Sequence, residues 1–304
     1  MRKLSIPFFV VLFVFSACEK TEKVEDFPQH QSKLVANCFF MPDSPFVFNL
    51  SKSLSPLDNA QFKNLVSPSA FIKVFENNIL FDSFRVFNNK FRGDSTKIAK
   101  AGNMYRFECY YPGFGVVKGE DYLPDTLKLL RAEGANRIKV TNKVNDTLTF
   151  VLHRSTLDLD LQSLNARGNY LLVSVYRVYK FYNYPKPGQT YIQRYGVSIS
   201  ETNRIYDSDV SGYGLYIPDD GRSLTQLRLA WDMNGYYKDG KISCEYDVVI
   251  SSFSKVSYEY LHRQMLQMDN QNDPFAQPTP ISNNIMNGFG VFGGMAKQHI
   301  HIVF

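Results

Sequence analysis

The thiol of Cys18 is the side chain whose neighbours most clearly prescribe a reaction. Arg2 and Lys3 give the chain a positive start, residues 6–15 form an apolar run broken only by Pro7, and Ser16-Ala17 place two small residues directly before the cysteine. That is the layout of a secretory signal peptide. A cysteine at the cleavage point, followed at once by polar Glu19-Lys20-Thr21-Glu22-Lys23, makes it a lipoprotein signal. The expected chemistry is acylation of the thiol and removal of residues 1–17, which leaves lipidated Cys18 as the new N-terminus. The apolar run is too short to be a transmembrane anchor, which takes about 20 residues. Phe15 departs from the pattern, because small aliphatic residues are commoner three positions before the cysteine.

Other constellations are weaker. His299 and His301 share a face if they lie on a strand, and could chelate a metal with further ligands. No cysteine or acid stands beside them and His30, His153 and His262 are scattered, so they read as edge-strand histidines. Asp158 and Asp160 share a face in the same way, as paired acids do in glycosidases, but no partner is recognisable and they read as a solvated face. Asp207-Ser208-Asp209-Val210-Ser211-Gly212 matches the first half of a calcium loop. Its twelfth position is Pro218 rather than Glu, so it reads as a turn. The glycine-rich tail at 288–294 lacks the Lys-Ser/Thr pair of a phosphate loop, and its glycines read as structural. Gly-x-Ser-x-Gly and His-Glu-x-x-His are both absent. The expectation is a non-enzyme with no metal and no cofactor.

Charge narrows the partners. The chain has 34 Lys plus Arg against 29 Asp plus Glu, and losing Arg2 and Lys3 with the signal lowers the formal charge from +5 to +3. So mild and scattered a balance argues against nucleic acid. Cys38, Cys109 and Cys244 each stand on the apolar side of an alternating pattern. A Cys38 to Cys109 bridge is conceivable in an oxidising envelope, but the favoured reading is three buried cysteines acting as small hydrophobes.

The elements that would position these groups are mostly strands. Residues 18–32 are polar and aperiodic, a tether reaching roughly 20 Å from lipid to body. Strands are expected at 34–40 and 46–50 around a Met41-Pro42-Asp43-Ser44-Pro45 turn, at 71–75 and 79–84 around Glu76-Asn77-Asn78, and at 104–111. Pro112-Gly113 and Lys118-Gly119-Glu120-Asp121 punctuate the end of this unit. Further strands are expected at 148–152, 170–181, 189–200, 224–232 and 242–253. A helix is expected over 257–269 with Ser257 as its N-cap, and the tail is expected to return as an edge strand. The fold class is therefore mainly β. It comprises two antiparallel, immunoglobulin-like sandwiches, residues 33–117 and 118–304, with a short C-terminal helix and a packed tail. Tyrosines near Pro185-Lys186-Pro187-Gly188, together with a second pair, are candidates for exposed recognition on loops: Tyr182, Tyr184, Tyr236 and Tyr237.

Several segments taken together resemble one family. They are the cleavage motif ending Ser16-Ala17-Cys18-Glu19-Lys20, the strand opening Lys33-Leu34-Val35-Ala36-Asn37, the Met41-Pro42-Asp43 turn, Leu50-Ser51-Lys52-Ser53, and residues 70–77. Residues 258–266, then Asn272-Asp273-Pro274-Phe275-Ala276-Gln277-Pro278, then 282–294 match more strongly. The pattern is similar to the Bacteroidota lipoproteins grouped as domain of unknown function 4249, although residues 117–226 match only in rhythm. The resemblance implies an outer-membrane lipoprotein often encoded beside a TonB-dependent receptor, and it supplies no catalytic residues. The expected role is a non-enzymatic binding accessory of that receptor, held to the membrane by lipid. The alternative is an adhesin or structural envelope protein.

Overall fold

The computed structural model describes residues 30–42, 44–55, 67–87, 90–125, 127–144, 148–162, 170–182, 186–201, 209–211, 214–218, 226–238, 244–270, 275, 277 and 279–304. Cys18 and the expected signal lie outside them, as do Asp207, Ser208 and Gly212 of the acidic turn.

Strict alternation makes β1 (Leu34–Phe40), which buries Leu34, Ala36, Cys38 and Phe40 and turns Val35, Asn37 and Phe39 outward. It pairs antiparallel with β2 (Val47–Lys52), as expected from the intervening turn. The hairpin of β3 (Phe71–Glu76) and β4 (Ile79–Phe84) turns through Asn77 and Asn78, whose φ angles of 48° and 70° are the left-handed values of a type I′ turn. After β5 (Val86–Phe87) and β6 (Lys90–Arg92), β7 (Met104–Tyr111) pairs with β3 on one side and with β8 (Gly115–Tyr122) on the other. The sheet β4-β3-β7-β8 faces β1-β2-β6-β5 across a core that contains Ile72, Phe46, Phe48, Tyr105 and Phe107. β8 passes straight through the expected boundary at 117/118, so strand pairing carries the first sandwich to Tyr122.

The second sandwich opposes two groups of strands. On one side β9 (Lys128–Lys143), β10 (Leu148–Gln162), β13 (Ser200–Glu201) and β16 (Gln226–Lys238) form the sheet β13-β16-β10-β9. On the other, β11 (Tyr170–Tyr182) lies between β17 (Glu245–Phe253) and β15 (Gly214–Ile217), with β14 (Asp209–Ser211) outermost and β12 (Thr190–Val197) paired farther along β11. Leu157, Leu171, Val173, Leu229, Tyr246 and Val248 are buried between the two sides.

The tail is not an edge strand. β18 (Phe289–Val303) runs parallel to β1 through residues 289–294 and antiparallel to β17 through 295–303, so one strand belongs to both sandwiches and makes a single ten-stranded sheet of them. Phe292 enters the first core from this strand, its ring 4.7 Å from Phe40 and 4.9 Å from Phe107. Burial of a ring of that size contributes ~2–3 kcal/mol. The glycines allow the approach. Gly290 has a φ of 119°, and a Cβ there would fall on the Ala36 carbonyl oxygen. A Cβ on Gly294 would fall on the Tyr122 carbonyl oxygen, while one on Gly288 would lie 2.6 Å from that of Leu34. Asn284 clips the strand to β8: its Oδ1 accepts from Phe292 N–H at 3.0 Å, and its amide donates to the carbonyls of Phe292 at 2.8 Å and Glu120 at 3.2 Å.

Helix α1 (Lys255–Asn270) follows β17 and packs Tyr258, Leu261 and Met265 against Tyr170, Tyr216, Phe253 and Met295. Its N-cap is Ser254, not Ser257: the Ser254 hydroxyl accepts from Ser257 N–H at 3.1 Å, and the Ser254 carbonyl accepts from Tyr258 N–H at 3.0 Å. The Ser254 hydroxyl in turn donates to buried Asp121 of β8, which also accepts from Gly294 N–H at 3.0 Å. One carboxylate thus joins the first sandwich, the helix cap and the shared strand. Among the described residues no helix is long and apolar enough to cross a membrane.

Candidate functional site

Among the described residues β17 accompanies β11 only as far as Val178, opposite Glu245, whereas β12 pairs with it to Tyr182, opposite Thr190. The last four residues of β11 and the first of β12 therefore stand beyond the large sheet as a two-stranded ribbon. It is turned by residues 186–189, where Gln189 N–H donates to the Lys186 carbonyl at 3.1 Å and Gly188 has a φ of 80°.

The ribbon is aromatic on both faces. Tyr179, Phe181, Tyr191 and Tyr195 share the face that continues the second core, with Tyr179 edge-on to Tyr195 at 5.4 Å and Phe181 6.1 Å from Tyr191. The Arg177 guanidinium lies 4.8 Å from the Tyr179 ring centre, a cation–π contact. Tyr182 and Ile192 occupy the opposite face. Tyr182 is 72% exposed, and Tyr191 and Tyr195 are about half exposed. Exposed tyrosine rings are suited to recognition, because each offers apolar area at little entropic cost together with a hydroxyl for orientation.

Beside the ribbon, the outer face of β17 and β18 is a lattice of charge. Lys180 pairs with Glu245 at 2.6 Å, Arg194 with Asp247 at 2.5 Å, and His301 Nδ1 lies 2.7 Å from Asp247. Burial pushes the Asp247 carboxyl up, but the hydrogen bonds from His301 and Arg194 outweigh it and hold the group below its ordinary range. His301 thus has two acids beside it, which sequence neighbours alone conceal. His299 shares a shallow cleft with Tyr176, Arg194 and Lys297. Among the described residues no group of three or more His, Cys, Asp or Glu is placed to hold a metal.

The remaining candidates disperse. Asp158 takes both its oxygens to Arg228, the second at 2.8 Å, and Asp160 lies 4.0 Å from Arg131, so the paired acids are a cross-strand ion ladder on the solvated face. Asp209 to Ser211 form a strand rather than a turn. Cys38, Cys109 and Cys244 are buried, as expected, and burial pushes the Cys109 thiol up to about 12. Cys244 Sγ lies 3.7 Å from His153 Nε2, which is 3.3 Å from the Tyr246 hydroxyl. That cluster is sealed inside the second core, where burial pushes His153 down toward its neutral form.

Of the four expected contact tyrosines, Tyr182 closes β11 at the ribbon tip, and Tyr184 lies outside the described residues. Tyr236 and Tyr237 of β16 pair with Phe150 and Thr149 of β10, so they stand on a strand rather than a loop. Trp231 of the same strand packs on Tyr246, and buried Leu227 and Leu229 lie on the core side of it. Tyr191 and Tyr195 were missing from the sequence reading, although their spacing within a recognised strand puts them on one face.

The domain model described as domain of unknown function DUF4249 matches residues 20–300, and the chain belongs to that family. No curated protein matches it. Among solved structures, the collagen binding domain of Erysipelothrix rhusiopathiae surface protein RspB is similar over 88% of this chain and 96% of its own, at 11% identity and a TM-score of 0.16.

Proposed function

We propose that this member of the DUF4249 family is an outer-membrane lipoprotein that binds rather than catalyses, and that it serves as an accessory of a TonB-dependent receptor in the same membrane. The observation that carries this is the exposed aromatic ribbon and its place in the fold. The body begins at Lys33, beside the start of β18, and β18 then runs 15 residues to Val303, which pairs with Glu245 beneath the ribbon. At about 3.3 Å per residue that strand alone spans roughly 50 Å. A tether at one pole therefore leaves the aromatic pole free to meet a partner or its ligand, and confinement to one membrane raises the effective concentration of both.

Affinity purification of the lipidated protein from native membranes tests this. The expected result is recovery of a TonB-dependent receptor in defined proportion. Simultaneous Ala replacement of the exposed ribbon tyrosines Tyr182 and Tyr191 should weaken recovery without lowering the melting temperature. Recovery of the protein alone, with turnover of a peptide or glycan by the purified chain, would reject the proposal. Recovery with a matrix or surface polymer would favour the adhesive reading instead.

A further inference from the structure

We infer that the pole of the first sandwich at which the chain enters is a bilayer-facing surface seated on anionic phospholipid headgroups; this rests on the lipid-anchored reading above. The outer row of β3, β7 and β8 there is Phe71, Tyr110 and Val116, directly paired across the three strands. Val116 is joined to the tail by its carbonyl, which accepts from the Asn287 amide at 3.4 Å, and the tail adds Met286 and Phe289. Met286 is 64% exposed, Tyr110 half exposed, and Val116 and Phe289 each 40% exposed. Phe71, Tyr110 and Val116 form an apolar stripe across the sheet, and the tail, bridged to β8 at Lys118 by Met286, adds exposed apolar groups at the edge of the sandwich.

Basic groups border the stripe along its length. Lys33 Nζ lies 5.2 Å from the Phe289 ring centre, the Arg85 guanidinium 5.3 Å from that of Phe71, and Lys73 Nζ 5.8 Å from the same ring. The carboxylate in the next row, Glu108, is already taken by Arg106 at 2.6 Å and Lys118 at 3.0 Å. An excess of positive charge therefore faces outward beside exposed rings. Aromatic residues at headgroup depth with Lys and Arg on lipid phosphates are the chemistry of an interfacial surface.

Chain length selects lipid over a soluble partner. Fourteen residues lie between Cys18 and Lys33, so an acylated Cys18 keeps this pole at a root-mean-square distance of roughly 20 Å from its lipid. The aromatic ribbon lies at the other end of β18 and needs no lipid. Seating the tether pole on the membrane would orient the body and direct the ribbon outward.

The mature chain carrying Cys18→Ser, which lacks the acyl anchor, isolates this surface. Its co-sedimentation would be measured with vesicles of phosphatidylethanolamine and phosphatidylglycerol and with phosphatidylcholine vesicles. Partition into the anionic vesicles alone is expected. It should fall roughly 100-fold when Lys33, Lys73 and Arg85 are together replaced by Gln, about fivefold for each cation removed from an anionic surface. Tyr182→Ala should leave partition unchanged. No partition above the phosphatidylcholine level, an unaffected triple variant, or a solution dimer broken by the same three substitutions would overturn the assignment. Vesicle partition without any recovered receptor would support this surface while removing the uptake role.

Discussion

Asp121→Asn should change how stability depends on pH. Burial pushes the Asp121 carboxyl up from its ordinary 3.8 to about 6, against hydrogen bonds from the Ser254 hydroxyl and the N–H groups of Gly294 and Tyr122. The folded protein therefore keeps a proton on this group until about pH 6, whereas the unfolded chain releases it near pH 4. Between those values the native state binds more protons, so stability falls as pH rises. A shift of about 2 units at 1.36 kcal/mol each amounts to ~3 kcal/mol, present below pH 4 and lost by pH 7. In a body of this size that corresponds to a melting temperature lower by ~6–10 °C. Asparagine keeps an oxygen for Ser254 and Gly294 but does not titrate, so this part of the slope should vanish. Calorimetric melting of both proteins at several pH values between 4 and 7.5, at constant ionic strength, gives the difference directly. Wild type should lose ground steadily to the variant as pH rises. Parallel profiles, or wild type gaining on the variant toward pH 7, would refute the placement of Asp121 as a buried acid at the junction.

Gly290→Val should destabilise the body by about 3 kcal/mol or more, because it adds a branched side chain at positive φ against the Ala36 carbonyl; a denaturant midpoint equal to wild type would contradict the parallel pairing of β1 and β18. In cells, Cys18→Ser should leave the precursor uncleaved or release the protein from the outer-membrane fraction, read by the mass of the product and by fractionation, since stable anchoring takes more than one acyl chain. Unchanged mass and partition would remove the lipid anchor.

Most strands were legible because their burial alternates residue by residue. β1 and β7 each put four apolar side chains on one face, and Asn77-Asn78 supplies the turn chemistry of β3 and β4. β8 was missed for a physical reason. Its inward positions are Val117, Gly119 and Asp121, so two of three carry no apolar side chain, and Lys118-Gly119-Glu120-Asp121 reads as a turn. Gly119 must be small because a Cβ there would lie 2.8 Å from the Phe107 ring, and Asp121 faces inward to serve a cap more than a hundred residues away. β9 escaped in another way: residues 131–135 are all exposed and give no apolar period. Ser254 and Ser257 are equally good capping residues by type, and only the path of β17 into the helix decides between them.

The ribbon was legible as aromatic density but not as a place. Tyr182 signalled exposure through the Pro185-Lys186-Pro187-Gly188 turn beside it, whereas Tyr191 and Tyr195 lay within an expected strand, where residue type alone does not separate a core ring from an exposed one. What separates core from surface there is how far the neighbouring strand pairs: among the described residues β17 covers β11 to Val178. That limit is a property of pairing between residues some seventy positions apart, which composition and spacing do not carry. The same holds for the tail. Phe289-Gly290-Val291-Phe292-Gly293-Gly294 reads as one more short strand, yet its parallel register with residues 35–40 brings this segment back beside the strand that opens the body. Because the strand continues without a break to Val303, one element connects the residues nearest the tether to those beneath the ribbon. A binding surface and an anchoring surface at the two ends of one strand can be disrupted separately, so loss of partner recovery and loss of vesicle partition should follow from different substitutions.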